Sequence, residues 1–191
     1  MEKFAILDME FTAWKGSLNR NWCYEWEKRE IINISALKFY NLNDKKPKEI
    51  DILCKCFKVN PLPIYFQKLT NIKESNLNNN GIKFKAALLK LNSFFLGVSK
   101  ILVNGLDKEI LIENCEYHKV YPPNFIKKIH NIRPKLSKIL KKKEKNIISS
   151  SLYKHTSNNK YKPHTGLYDC YSIYFFLGKK LKSKDLMKLF D

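Results

Sequence analysis

The chain of 191 residues lacks the features that direct a protein to a membrane or a secretory route. Residues 1–8 contain no basic stretch, no long apolar stretch and no small-residue cleavage site of the kind found in signal sequences. No apolar run approaches the roughly 20 residues that a helix needs to cross a bilayer. We therefore expect a soluble, cytoplasmic protein with no membrane partner.

A disulfide framework is also missing. The five cysteines are odd in number and mostly far apart, which favours reduced thiols. Cys54 and Cys56 would share one face of a strand and could hold a metal ion. No second pair of cysteine or histidine residues has the spacing of a structural zinc site, so the sequence gives this interpretation little support.

Arginine is scarce in a chain that is otherwise strongly basic. The formal net charge is +18, yet only Arg20, Arg29 and Arg133 are arginines among the 36 basic residues. Lysine and arginine supply most of the sequence-independent affinity for phosphates, so the charge suggests a nucleic-acid partner. Asparagine and isoleucine are plentiful, however, as expected of an AT-rich coding sequence. The charge alone is weak support for nucleic-acid binding.

The length and the 44% hydrophobic content predict a single domain over residues 1–191. Apolar patterning predicts strands at 4–11, 31–40, 50–59 and 101–103, and helices at about 65–69, 84–97, 107–118, 167–177 and 184–190. Prolines and asparagines mark residues 61–81 as largely turns. Residues 141–163 are rich in lysine and serine and predict a mobile basic loop. This order of elements indicates an α/β layer structure with a mixed sheet.

Acidic residues interrupt or border apolar segments at three places, where an unpaired charge would be costly to desolvate. Asp8 and Glu10 are two residues apart on a strand and project from the same face. Asp107 and Asp169 lie near the starts of two helices. Taken singly, these acids could be a solvated strand end and two helix caps.

The four acids occur together in one chain, with His164 just before the helix that carries Asp169. Together they indicate a metal site more strongly than any of them does alone. Carboxylates brought together by folding repel one another unless cations neutralise them. Oxygen ligands without cysteine favour magnesium or manganese over zinc. Two such ions about 4 Å apart can stabilise both oxygens of an in-line phosphoryl displacement.

The segments around these residues resemble the DEDDh exonuclease superfamily over nearly the whole chain. The segments that carry the resemblance are Ile6-Leu7-Asp8-Met9-Glu10-Phe11-Thr12, residues 29–36, Leu69-Thr70-Asn71-Ile72, Asn104-Gly105-Leu106-Asp107 and His164-Thr165-Gly166-Leu167-Tyr168-Asp169. The match is closest to the branch related to histone-mRNA and small-RNA 3′ exonucleases. Gly166 stands where alanine is common, and Cys170 replaces a small residue; neither change removes a ligand.

The resemblance implies an RNase H-like mixed five-stranded sheet flanked by helices, and 3′-to-5′ release of nucleoside monophosphates from single-stranded ends, with RNA favoured over DNA. It implies two Mg²⁺ or Mn²⁺ ions. Asp8, Glu10 and Asp169 would hold the ion beneath the attacking water, Asp8 would bridge to the second ion, and Asp107 would support that ion. His164 would be the general base.

The connection between the first two strands holds all three tryptophans and two of the three arginines. Aromatic faces stack on unpaired bases, and arginine binds phosphate through two donors. We therefore expect this segment to line a substrate groove. The expected substrate-binding residues are Met9, Phe11, Thr12, Trp14, Arg20 and Trp22. The alternatives are a hydrophobic loop packed on the domain and a contact between two copies in a homodimer.

Two further hypotheses concern the basic loop and the activity itself. Residues 141–162 would become ordered on binding phosphates and bring His164 into place, the alternative being a solvated surface loop. A catalytically silent nucleic-acid-binding or regulatory protein on the same fold, and a nuclease of another metal class, are the rival functions. The presence of all five site residues argues against the silent protein, and the spacing of His164 favours the exonuclease.

Overall fold

A five-stranded mixed sheet forms the centre of the protein in a computed structural model, which describes residues 2–42, 44, 46–153 and 163–181. The strands are β1 (Lys3–Phe11), β2 (Ile31–Phe39), β3 (Lys48–Leu53), β4 (Val98–Val103) and β5 (Ile129–Asn131), in the spatial order β3-β2-β1-β4-β5. The pairs β1 with β2 and β2 with β3 are antiparallel. The pairs β1 with β4 and β4 with β5 are parallel. The sheet is therefore mixed, as expected.

Helices cover both faces of this sheet. They are α1 (Ile64–Thr70), α2 (Glu74–Asn80), α3 (Phe84–Phe94), α4 (Asp107–Tyr117), α5 (Arg133–Leu140), α6 (Ser149–Leu152) and α7 (Gly166–Lys180), with short 3-10 helices at Asn124–Lys128 and Glu144–Asn146. Within the described residues, no helix is both long and apolar enough to span a membrane.

The alternation of β1 divides the core into two layers, because successive side chains of a strand point to opposite faces. Ala5 and Leu7 pack in the cluster that contains α3 and α4. Phe4 and Ile6 pack in the cluster that contains α5 and α7. The sheet is thus covered on both sides at the position of β1, and only the end of this strand is left for polar residues.

The third strand is shorter than the expected 50–59. It ends at Leu53, and Cys54 only forms an isolated bridge to Ile82. The Glu30 carboxylate accepts the main-chain N–H groups of residues 57–59, so these groups do not continue a strand ladder. The expected shared strand face for Cys54 and Cys56 is therefore wrong. Burial raises the pKa of both thiols to about 12, which keeps them protonated.

Outside residues 141–163, four elements were not located from the sequence. They are α2, the 3-10 helix at Asn124–Lys128, β5 and α5. Helix α2 is an asparagine-rich segment in which Leu77 is buried against Leu62 and Phe66. Tertiary packing of one apolar residue therefore outweighs the weak helix propensity of its neighbours.

The segment expected as a loop at 141–163 contains two short helical turns. Ile147, Ser149 and Ser150 in this part of the chain are buried. Its residues 154–162, like the helix expected at 184–190, lie outside the described residues. Its mobility and its ordering by phosphates stay predictions.

Candidate active site

The first two acids of the site come from the end of β1. Asp8 and Glu10 continue the face on which Phe4 and Ile6 pack against α7, but they lie beyond the apolar core and are half-buried. The strand therefore presents core residues first and carboxylates second on the same face, since its side chains repeat with a period of two.

The third acid is held against the first strand by a hydrogen bond. Asp107 is the first residue of α4 and is only 7% exposed. Its Oδ1 accepts the main-chain N–H of Met9 at 3.1 Å. This bond fixes the start of α4 beside Asp8 and Glu10.

The fourth acid comes from the first turn of α7 and completes a cluster. One carboxylate oxygen from each of Asp8, Glu10 and Asp169 lies within 4.8 Å of the other two. Asp169 is 7% exposed, and its Oδ1 is buried with no hydrogen-bond partner in the described structure. A buried oxygen without a partner is costly unless a cation or a donor meets it.

Burial raises the pKa of all four carboxyls, and repulsion by other acids of the site adds to this rise for Asp8, Glu10 and Asp169. Burial is the largest cause for Asp8 and for Glu10, followed for both by the charge of Asp169, and their pKa values lie well above the ordinary range. Burial raises the pKa of Asp169 to about 7 and that of Asp107 to about 6. Near neutral pH, ionising all four carboxyls is therefore unfavourable, and a bound cation would lower that cost.

The donor set fits hard divalent cations. Carboxylate oxygens without sulfur or nitrogen neighbours are the ligands that Mg²⁺ and Mn²⁺ prefer. Asp8, Glu10 and Asp169 could hold one ion together. Asp107 lies outside that group of three, and its charge raises the pKa of Asp8, which shows that the two carboxyls are near each other.

His164 lies on the turn that enters α7. It has a left-handed backbone with φ of 62°, which is uncommon for a residue other than glycine. Its main-chain N–H bonds to the Asp169 carboxylate and lowers that pKa, against the larger effect of burial. The turn therefore ties His164 to a member of the acid cluster.

The two departures from the superfamily pattern have a local explanation. A Cβ atom at Gly166 would lie 2.5 Å from Ser35 Oγ and 2.8 Å from Asn33 Oδ1. Cys170 is fully buried, with its Sγ 3.4 Å from the main-chain oxygen of Ser35. Polar side chains on β2 thus occupy the space that an alanine at 166 would need, and α7 approaches the sheet closely.

A pocket of about 280 Å³ opens beside the acids. It is lined by Glu10 and Phe11 of β1, by residues of the connection that follows β1, among them Trp14 and Trp22, and by Tyr65 and Leu69 of α1. The Trp22 Nε1–H donates to the Thr12 main-chain oxygen at 3.0 Å, and its ring lies 5.4 Å from that of Phe11. The tryptophans are therefore held next to a carboxylate of the cluster.

Three of the expected substrate-binding residues do not line this pocket. The Met9 side chain is buried with the apolar cluster on the opposite face of the sheet. Thr12 is fully buried, and its hydroxyl contacts the main chain at Lys28 and Glu30. The Arg20 guanidinium pairs with Glu27 and donates to the main-chain oxygen of residue 15. Their role as substrate ligands stays a prediction that the pocket does not support.

The sequence did not identify Tyr65 and Leu69 as pocket residues. Both are apolar residues that stay exposed. Tyr65 is 41% and Leu69 is 38% accessible, on a helix whose Phe66 is buried in the core. A helix with apolar residues on both faces, following Pro61 and Pro63, could have indicated a second contact surface.

Comparison with known proteins places this arrangement in a family. The sequence model of the RNase_T family, described as an exonuclease, matches residues 5–175. No curated protein sequence matches the chain.

Several solved structures share the fold. The nuclease domain of 3′hExo, a DEDDh family member bound to rAMP, has 20% identity and a TM-score of 0.75 over 93% of this chain and 90% of that one. Cell-death related nuclease 4 has 13% identity and a TM-score of 0.68 over 94% and 63%. E. coli Exonuclease I with a dT13 oligonucleotide has 11% identity and a TM-score of 0.65 over 98% and 43%. The RNase H-like fold expected from the sequence is confirmed.

Proposed function

This chain belongs to the RNase_T exonuclease family within the DEDDh superfamily, and from that premise we propose that it removes nucleoside monophosphates from the 3′ ends of single-stranded nucleic acid. The observation that carries the proposal is the meeting of three carboxylates within 4.8 Å, one with a buried unpartnered oxygen. The aromatic pocket beside Glu10 offers a place for the terminal nucleotide.

Divalent metal ions serve the exonucleases of this superfamily, and we propose two Mg²⁺ or Mn²⁺ ions here. Asp8, Glu10 and Asp169 would hold one ion, and Asp8 and Asp107 would hold the other. Such ions lower the pKa of water and neutralise charge that develops on phosphate oxygens. The raised pKa values of the four acids support the proposal, because carboxylates buried together are costly to ionise unless a cation compensates their charge.

His164 is the proposed general base. An imidazole can accept the proton of a water that attacks phosphorus, and then release it to solvent. The main-chain bond from His164 to Asp169 supports this role, because it keeps the residue next to the acid cluster. The left-handed turn fixes the main chain of His164 at the entrance to α7.

The pocket supports recognition of an unpaired base. Phe11 and Trp22 offer aromatic faces, and Tyr65 of α1 lines the same pocket. Stacking of a base on an aromatic side chain is worth about 1–3 kcal/mol and tolerates different bases. RNA is the proposed preference, supported by structural neighbours solved with rAMP and with a histone mRNA stem-loop.

The test is digestion of matched RNA and DNA 12-mers that carry a 5′ label and a free 3′ hydroxyl. With Mg²⁺ or Mn²⁺ we expect ladders that shorten from the 3′ end, release of nucleoside 5′-monophosphates, and faster digestion of RNA. A circular oligomer of the same sequence should stay intact.

The matched control is Asp8→Ala, which removes the proposed bridging ligand. It should lose hydrolysis while still binding the 12-mer. Binding of the 12-mer by the wild-type protein without release of mononucleotides would contradict the proposal and favour the catalytically silent protein. Cleavage of the circle would instead indicate an endonuclease.

A further inference from the structure

Arg133 contacts the turn that leads from β4 to Asp107. It follows β5 and begins α5, and the contact is made by its guanidinium. Nε donates to Asn104 Oδ1 at 3.3 Å, and Nη2 donates to the Asn104 main-chain oxygen. One arginine therefore holds both oxygens of the residue that lies three positions before Asp107.

The turn is shaped for this contact at Gly105. Its φ of +144° lies in a region that L side chains rarely adopt, and a Cβ atom there would be 2.6 Å from Arg133 Nη2. Any side chain at this position would displace the guanidinium. The glycine thus serves two purposes, since it permits both the backbone conformation and the close approach of the arginine.

Asn104 extends the contact towards α7. Its Nδ2 donates to Ser149 Oγ at 2.8 Å, and the Ser149 main-chain oxygen accepts the Ser172 hydroxyl at 2.6 Å. Asn104, Ser149 and Ser172 are all buried. A continuous set of hydrogen bonds therefore runs from Arg133 to the helix that carries Asp169, and a buried set of this kind resists rearrangement.

The charge of Arg133 acts on two of the four acids. Burial raises the pKa of Asp8 and of Asp107, whereas the guanidinium of Arg133 lowers both. The guanidinium is therefore near both acids, in agreement with its hydrogen bonds to Asn104 at the start of the turn that leads to Asp107.

We propose that Arg133 is a positioning residue that fixes the Asn104-to-Asp107 turn, so that Asp107 and Asp8 form the site of the second metal ion. The inference rests on the proposed function and adds a residue to it. Arg133 acts through Asn104, and it contacts neither the substrate nor the ion. Groups that orient metal ligands from outside typically affect metal affinity by about 10–100-fold.

The first experiment titrates Mn²⁺ into the full chain without substrate and measures free Mn²⁺ by electron paramagnetic resonance. Arg133→Met should bind the weaker ion about tenfold less tightly and leave the tighter ion unchanged. Arg29→Met is the matched control, because Arg29 makes a bidentate pair with Glu113 on α4 at 3.0 Å. It removes a partly buried arginine that contacts α4 away from Asp107, and it should leave both affinities unchanged.

A second variant separates the hydrogen bonds from the charge and covers the case in which Arg133→Met does not fold. Arg133→Lys keeps a positive charge but cannot bond both Asn104 oxygens in the planar geometry of arginine. It should still bind the weaker ion less tightly than the wild type. Wild-type affinity in Arg133→Lys, or unchanged or tighter binding in Arg133→Met, would overturn the inference.

Hydrolysis of the RNA 12-mer is measured on the same samples. At saturating Mn²⁺ we expect Arg133→Met to regain most of the wild-type kcat with little change in KM. A raised KM at saturating metal would show that Arg133 contacts substrate, and would overturn its assignment as a positioning residue. Absence of hydrolysis in the wild type would contradict the proposed function, and the Mn²⁺ affinities would still decide the role of Arg133.

Discussion

Replacing Asp169 with asparagine should stabilise the metal-free protein at alkaline pH. The carboxyl is 7% exposed, and burial raises its pKa from 3.8 to about 7. Each tenfold change in acidity corresponds to about 1.36 kcal/mol. Ionisation of this carboxyl therefore lowers the free energy of unfolding by about 4 kcal/mol. Asparagine removes the charge and keeps the buried oxygen without a partner that the wild type already has, so this oxygen does not change the comparison. The gain at pH 8 is therefore up to about 4 kcal/mol.

The direction of the pH dependence follows from proton uptake. Below pH 3.8 the carboxyl is protonated in both states and contributes nothing. Between 3.8 and about 7 the folded state holds a proton that the unfolded state has released, so the free energy of unfolding falls as pH rises. Above pH 7 the cost is complete. The advantage of Asp169→Asn should therefore be absent near pH 4 and full at pH 8.

Urea unfolding in EDTA at pH 4, 6 and 8 measures this difference. Adding Mn²⁺ at pH 8 should reverse the order of stability, because ions stabilise the state that binds them and the variant lacks a ligand. A variant that is no more stable than the wild type at pH 8 in EDTA, or equally shifted at pH 4, would refute the argument that the cluster is strained by its own charge.

Three further changes test other parts of the site. His164→Asn, which tolerates the left-handed backbone, should lower kcat about 10²–10⁴-fold and keep wild-type Mn²⁺ affinity; a comparable loss of affinity would contradict its role as a base. Trp22→Ala should raise KM for a single-stranded oligomer about tenfold with kcat unchanged, and unaltered kinetics would remove the pocket from substrate binding. Gly166→Ala should destabilise the fold by about 1–3 kcal/mol in urea unfolding, since its Cβ would lie 2.5 Å from Ser35 Oγ; Ser35→Gly in the same chain should recover part of the loss.

Local pattern was sufficient to predict the parts of the site that depend on one element. Asp8 and Glu10 face the same way because a strand repeats every two residues, and their residue types show that this face leaves the core. Asp107 and Asp169 could be assigned to helix starts from the apolar periodicity that follows each of them. The geometry that joins the two helices to β1 came only from the family resemblance.

Contacts between distant segments could not be predicted from local pattern. Arg133 lies 29 residues from Asn104, and nothing in the sequence near Arg133 indicates that its guanidinium meets that turn. Tyr65 and Leu69 reach the pocket because α1 is placed against the first connection, which depends on the whole fold. Glu30 likewise shortens β3 by binding main-chain groups 27 to 29 residues away.

A single face of β1 carries both core residues, Phe4 and Ile6, and two of the site acids, Asp8 and Glu10. If β1 slipped by one residue against β2, all four side chains would exchange faces, and both carboxylates would enter the apolar layer beneath α4. Such a chain would lose its packing and its acid cluster together. If the acids bind metal as proposed, metal affinity would therefore also report strand register, and a misaligned chain could not persist as a stable form without the site.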